Sequence, residues 1–226
     1  MRYFPWSDAD GPRAALAEAV AAAFPDGLAG RELAVEFTSM RVMELRALEE
    51  AVPGLRVADA TAMMAELRMA KDEQELAAIE QAVRIVEAAL KRTIEQIRVG
   101  MTERELSRIC ADEIVAAGAD SESFENIVAS GPNAANPHHS NSDRAFQPGD
   151  LIIIDCGARY GGYISDITRT VALGEPSEEA RRIYDLVLRA NEAGRRAARP
   201  EATGAEIDAA ARGVIEAGGY GQYFLH

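Results

Sequence analysis

At 226 residues the chain holds one large domain or two modest ones, and its 48% hydrophobic and 27% charged residues give an ordinary globular balance. Acidic side chains number 37 against 24 basic ones, and a net charge of −13 excludes the basic footprint that nucleic acid or an anionic leaflet would need. Cys110 and Cys156 are too few for a disulfide framework, no apolar run nears the ~18–20 residues that span a bilayer, and the start lacks a signal-peptide core; the expectation is a cytoplasmic protein.

An Ala-rich helix comes first, with Leu16, Val20 and Phe24 spaced by four along one face. A β-like run (Leu33, Val35, Phe37), a helix over 41–50 closed by Pro53-Gly54, and a helix over 60–67 complete an α/β alternation. From Met69–Gln74 onward Leu76, Ile79, Val83, Val86, Leu90, Ile94 and Ile97 mark a long amphipathic helix that Gly100 ends. Thr102 and Glu105 form a capping box for the next helix, which turns Leu106, Ile109, Cys110 and Ile114 inward and stops at Gly118. Cys110 reads as a small core residue. Extended chain follows over 124–128 and 151–155, with a Ser130-Gly-Pro-Asn133 turn between and a further strand over 163–173. Helices over 178–198, capped by Ser177, and from the Thr203/Glu206 capping box to Gly218-Gly219 lead to Tyr223-Phe-Leu-His226, which reads as a strand.

Leu151-Ile-Ile-Ile-Asp155 runs into turn chemistry at Tyr160-Gly161-Gly162, and the returning strand carries Asp166. A turn centred between Tyr160 and Gly161 gives facing residues an index sum of 321, placing Asp155 directly opposite Asp166. Two carboxylates about 5 Å apart repel by roughly 3 kcal/mol at an effective dielectric of 20. They then share a proton or bind cations, and hard divalent ions suit such a pair.

These residues resemble a known family. Leu-Ile-Ile-Ile-Asp155-Cys-Gly followed by Gly-Tyr-Ile-Ser-Asp166-Ile-Thr-Arg-Thr is similar to the Xaa-Pro aminopeptidase and prolidase branch of the pita-bread metallopeptidases. Glu66–Leu76, Phe124–Asn133 with Pro137-His138, and Tyr223–His226 resemble further segments of it. The resemblance implies an α+β pita-bread catalytic domain over 71–226, first part only, preceded by part of a small α/β N-terminal domain over 1–70. It implies hydrolysis of the bond before proline in dipeptides or short peptides, by a homodimer using two divalent metal ions: Mn²⁺, with Zn²⁺ or Co²⁺ as alternatives.

Matched residue by residue, Asp155 would bind one metal and Asp166 bridge both. His138 would contact the scissile carbonyl or its oxyanion, and His226 would line the substrate site and assist proton transfer. Phe124 would form an apolar wall, and Thr168, on the face of Asp166, would hydrogen-bond a ligand carboxylate from outside the metal's own ligand set. His139 reads as surface, and Cys156 as buried on the face away from Asp155. The family's centre takes five side chains, so the expectation is a chain truncated at both ends, inactive alone and without an ordered two-metal site. Methionine aminopeptidase, creatinase-type and non-catalytic pita-bread modules are the alternatives; Thr-Arg-Thr170 after Asp166, and retention of Asp155, Asp166 and His138, speak against them.

Overall fold

The structure, a computed structural model, describes residues 2–28 and 32–225. Two compact units divide the chain, Met1–Asp72 and Glu73–His226.

In the first unit, helix α1 (Arg13–Ala23) holds Leu16 and Val20 half-buried, as spacing by four requires. Strand β1 (Glu32–Val35), helix α2 (Val42–Ala51) and strand β2 (Arg56–Asp59) make a parallel βαβ unit, with Leu33 beside Val57 and Val35 beside Asp59. Strand β2 has only Val57 and Ala58 between charged ends, so no alternation announces it in the sequence. Phe37, expected to extend β1, lies beyond it and is exposed. Helix α3 (Thr61–Met69) follows.

The second unit begins with two helices, α4 (Glu73–Glu95) and α5 (Glu103–Ala116). Helix α4 ends before Ile97, and its buried face is Ala82, Ile85, Val86, Ala89, Leu90 and Thr93. Leu76 and Val83, expected inside, are exposed, because small Ala82 and Ala89 form the close-packed stripe instead. The Thr102–Glu105 capping box forms: Thr102 N donates to Glu105 Oε2 at 2.8 Å, and Glu105 N donates to Thr102 Oγ1 at 3.2 Å. The chain's own return segment satisfies two further N–H groups at that helix end, since Glu103 N donates to Arg144 O and Arg104 N to Ser142 O.

Six strands follow: β3 (Ser121–Glu122), β4 (Ile127–Ser130), β5 (Leu151–Cys156), β6 (Ala158–Tyr160), β7 (Tyr163–Ile164) and β8 (Ile167–Ala172). They form two three-stranded sheets, ordered β4-β5-β8 and β3-β6-β7, with the β4-β5 and β5-β8 pairs antiparallel. The strand expected over 163–173 is thus split, because the β5–β8 ribbon crosses from one sheet to the other at Gly157 and Ser165-Asp166. Val128, Ile152, Ile154 and Cys156 face the core, where they meet Val86, Leu106, Cys110 and Ile114 of the two helices. Helices α6 (Glu178–Ala197) and α7 (Gly204–Ala217) close the unit around a smaller cluster of Leu186, Ala190 and Ile215.

Tyr223–Leu225, expected as strand, is a 3₁₀ turn over Gly221–Tyr223 followed by irregular chain. Arg212 of α7 holds it there, donating to Phe224 O at 3.0 Å with its guanidinium 4.7 Å from the Phe224 ring centre. His226 lies outside the described residues.

Candidate metal centre

The hairpin register differs from the expected one. Asp155 pairs with Thr168 and Tyr160 with Tyr163, an index sum of 323, so the turn is Gly161-Gly162 rather than Tyr160-Gly161. Both glycines have positive φ, 58° and 86°, as a two-residue type I′ turn requires, and Tyr160 could not take the first position without strain. Asp166 is therefore diagonal to Asp155 and faces Gly157. A shift of two residues preserves the face, so Asp155, Asp166 and Thr168 remain on one side of the ribbon.

Thr168 Oγ1 donates to Asp155 Oδ1 at 2.7 Å. The Asp166 carboxyl interacts directly with that of Asp155, and it sits above the usual carboxylate range: partial desolvation raises it first, then the neighbouring charge. Among the described residues, no cationic side chain offsets that rise. Two crowded carboxylates without a basic partner suit a hard divalent cation by charge and by donor type. Among the described residues, no group of three or more His, Cys, Asp or Glu converges on one point.

What fixes Asp166 is the backbone crossing beneath it. Buried Ser165 donates through Oγ to Ala82 O at 3.0 Å, accepts from Ala158 N at 3.1 Å, and takes the Ser123 hydroxyl on its carbonyl at 3.0 Å. A Cβ at Gly157 would stand 2.1 Å from both Ser123 Oγ and Ser165 O, so only glycine fits. Phe124 is half-buried with its ring edge against Gly157, 3.1 Å from the same point. Gly157→Ala is expected to cost about 2–3 kcal/mol of stability in urea unfolding, because backbone and not a flexible side-chain tip must yield. An unchanged midpoint would contradict that geometry.

Asp155 and Thr168 open into a cleft of about 350 Å³. Ile127, Ala129 and Ile153 form its sheet wall, Ala134–Pro137 one rim, and Tyr223–Leu225 another. His138 follows that rim directly; it is exposed, and its backbone N–H donates to Asn136 Oδ1 at 3.1 Å. Cys156 is fully buried on the opposite face against Cys110, and that contact, with burial, pushes its thiol up.

His139 departs from the expected surface position. Its side chain is 13% exposed, and Nε2 lies 2.7 Å from Oε2 of Glu103, whose own side chain is fully buried. Ser130, Asn133 and Ser142 also donate to Glu103. Its carboxyl is held at about 2: burial alone would raise it, and the converging donors outweigh burial. Glu103 looks, in the sequence, like an ordinary acid in a helix's first turn.

Fold and site together define a class: an α+β protein whose central hairpin brings two carboxylates together beside a cleft that one of them lines. The model of metallopeptidase family M24 matches residues 77–226, and the chain belongs to that family, in its Xaa-Pro dipeptidase and prolidase branch. It is 42% identical over 161 residues to the Xaa-Pro dipeptidase of Pyrococcus furiosus, covering 71% of this chain and 46% of that protein. Its fold is similar to an Xaa-Pro dipeptidase from Bacillus anthracis (TM-score 0.86, 34% identity, 94% of this chain and 59% of that one). A prolidase from Thermococcus sibiricus is equally similar (TM-score 0.85, 38% identity, 98% and 59%). The chain spans about half the length of the relatives it matches. No helix among the described residues is long and apolar enough to cross a membrane.

Proposed function

We propose that the whole protein is a metal-dependent peptidase that hydrolyses the bond before proline in dipeptides or short peptides. The observation that carries this reading is that Asp155 and Thr168 line a cleft with the Asp166 carboxyl against that of Asp155, and that among the described residues neither carboxylate has a basic partner. Asp155 and Asp166 would hold divalent metal, with Thr168 steering one oxygen of Asp155 and three further ligands needed besides. Bound there, such an ion supplies a water of lowered pKa and polarises the peptide carbonyl.

This chain's own residues have defined tasks in that reaction. The apolar sheet wall of Ile127, Ala129 and Ile153 shapes a seat for a proline ring beside Asp155, and Phe124 packs at Gly157 next to the strand crossing that carries Asp166. An amide before proline has no N–H, so such a substrate is recognised by shape more than by strand pairing. His138, at the rim, donates to the carbonyl oxygen as it gains charge, a contact worth about 3–4 kcal/mol where one such donor has been removed. His226 would assist proton transfer at the leaving nitrogen.

The test is hydrolysis of an Xaa-Pro dipeptide by the whole protein with Mn²⁺, before and after chelation. Activity should fall by at least about 100-fold in excess chelator, several kcal/mol of barrier, and return with metal. Full activity in chelator, or no preference for Xaa-Pro over Xaa-Ala, would overturn the reading.

A further inference from the structure

The connection from β4 to β5, residues 131–150, is long for a compact domain and carries His138 and one rim of the cleft. Such a segment should wander, yet it converges on one buried side chain. Glu103 Oε1 accepts from Ser130 N at 2.8 Å, Ser130 Oγ at 2.7 Å and Asn133 Nδ2 at 3.0 Å. Oε2 accepts from His139 Nε2 at 2.7 Å, Ser142 N at 3.1 Å and Ser142 Oγ at 2.6 Å. An ionised carboxylate only accepts, so His139 must carry its proton on Nε2. Arg144 closes the network, donating to Ser130 Oγ at 2.7 Å and gripping both oxygens of Asp150 at 2.6 and 2.9 Å. His139 is thus the loop's anchor immediately beside His138, and Asn133 and Ser142 pin the loop on either side.

We infer that Glu103 is a positioning residue which, through His139, fixes the 131–142 loop and so holds His138 at the rim of the cleft. The inference rests on the role of His138 proposed above. Its cause is geometric: charge-assisted hydrogen bonds are about twice as strong as neutral ones, and a misplacement of about 1 Å at a reacting centre can cost about 100-fold in rate.

The experiment uses the whole protein, the variants His139→Ala, His139→Gln, His138→Ala, the double variant His138→Ala/His139→Ala, and Glu103→Gln. Gln places a donor near the position of Nε2, and Ala does not. His139→Ala should lower kcat on an Xaa-Pro dipeptide by at least about 10-fold with KM within about 2-fold, and His139→Gln should recover most of it. The double variant should be within about 2-fold of His138→Ala alone, since one effect acts through the other. Amide hydrogen exchange of residues 133–142 should quicken in His139→Ala while that of α5 stays unchanged. Glu103→Gln should act in the same direction; should it fail to fold, the His139 series decides. Unchanged kcat in His139→Ala, a multiplicative loss in the double variant, or unchanged loop exchange would each overturn the inference. Should the wild type not cleave Xaa-Pro at all, the proposed reaction fails, and the exchange data alone decide whether His139 and Glu103 hold the loop.

Discussion

Asp166→Ala should cost the whole protein at least about 10³-fold in kcat/KM for an Xaa-Pro dipeptide, about 4 kcal/mol, while Thr168→Ala should cost only about 10–100-fold. The asymmetry follows from what each side chain touches. Asp166 carries a charge that Asp155 and partial desolvation disfavour, so a cation there is stabilised by relieving both. Removing it takes away one of the two carboxylates proposed to hold metal. The Thr168 hydroxyl donates to Asp155 Oδ1, at 2.7 Å, and its loss frees a carboxylate to rotate without removing it. Metal affinity measured alongside kinetics should show the same order, Asp166→Ala far below Thr168→Ala and Thr168→Ala modestly below wild type. Equal losses in the two variants would mean that the ribbon face is a scaffold and that the metal is held elsewhere.

How much of this was legible depends on which residues carry local constraints. The hairpin was visible as apolar run, turn and return, and both aspartates could be placed on one face because a strand's parity is robust. Their exact pairing was missed by one step of the turn centre. The signal was present, however: a type I′ turn needs two residues with positive φ, and Gly161-Gly162 is the only adjacent pair there that takes them without strain. Capping boxes at Thr102 and Thr203 were equally readable, since their chemistry lies within four residues. By contrast, β2 is too short to show alternation, and the expected strand at Tyr223–Leu225 fails because Arg212, in the preceding helix, captures its backbone.

The Glu103 network was not legible at all, and the reason is distance along the chain. Glu103 lies 27 to 39 residues from the loop groups that bury it, and a glutamate at the start of a helix is also what the helix dipole favours. Nor did spacing separate His138 from His139. The loop residue that resembles a functional histidine is the exposed one, and its neighbour, read as surface, is the anchored one. Polar networks built across a loop become visible only once the loop is closed.

That network should also dominate the protein's response to acid. Folded Glu103 titrates at about 2 against an ordinary value of 4.5, so on acidification the unfolded chain takes the proton first. Its contribution to stability is complete above about pH 4.5 and is lost as pH falls through that value toward 2. The gap corresponds to about 3 kcal/mol, and because the side chain is fully buried that figure needs little discount for solvent screening. Against the 5–15 kcal/mol typical of a domain this is a large share. In Glu103→Gln the amide keeps one acceptor but turns an N–H₂ toward donors from His139, Ser142 or Ser130, so unpaired groups remain whichever way it faces. Denaturant unfolding from pH 7 to pH 2 should therefore show the variant less stable by about 3 kcal/mol at neutral pH, with the two curves converging toward pH 2. Acid-sensitive carboxylates outside this network, Glu113 among them, are common to both proteins and cancel in the difference. Parallel curves across that window would show that the buried carboxylate is held no more tightly in the folded protein than in the unfolded chain.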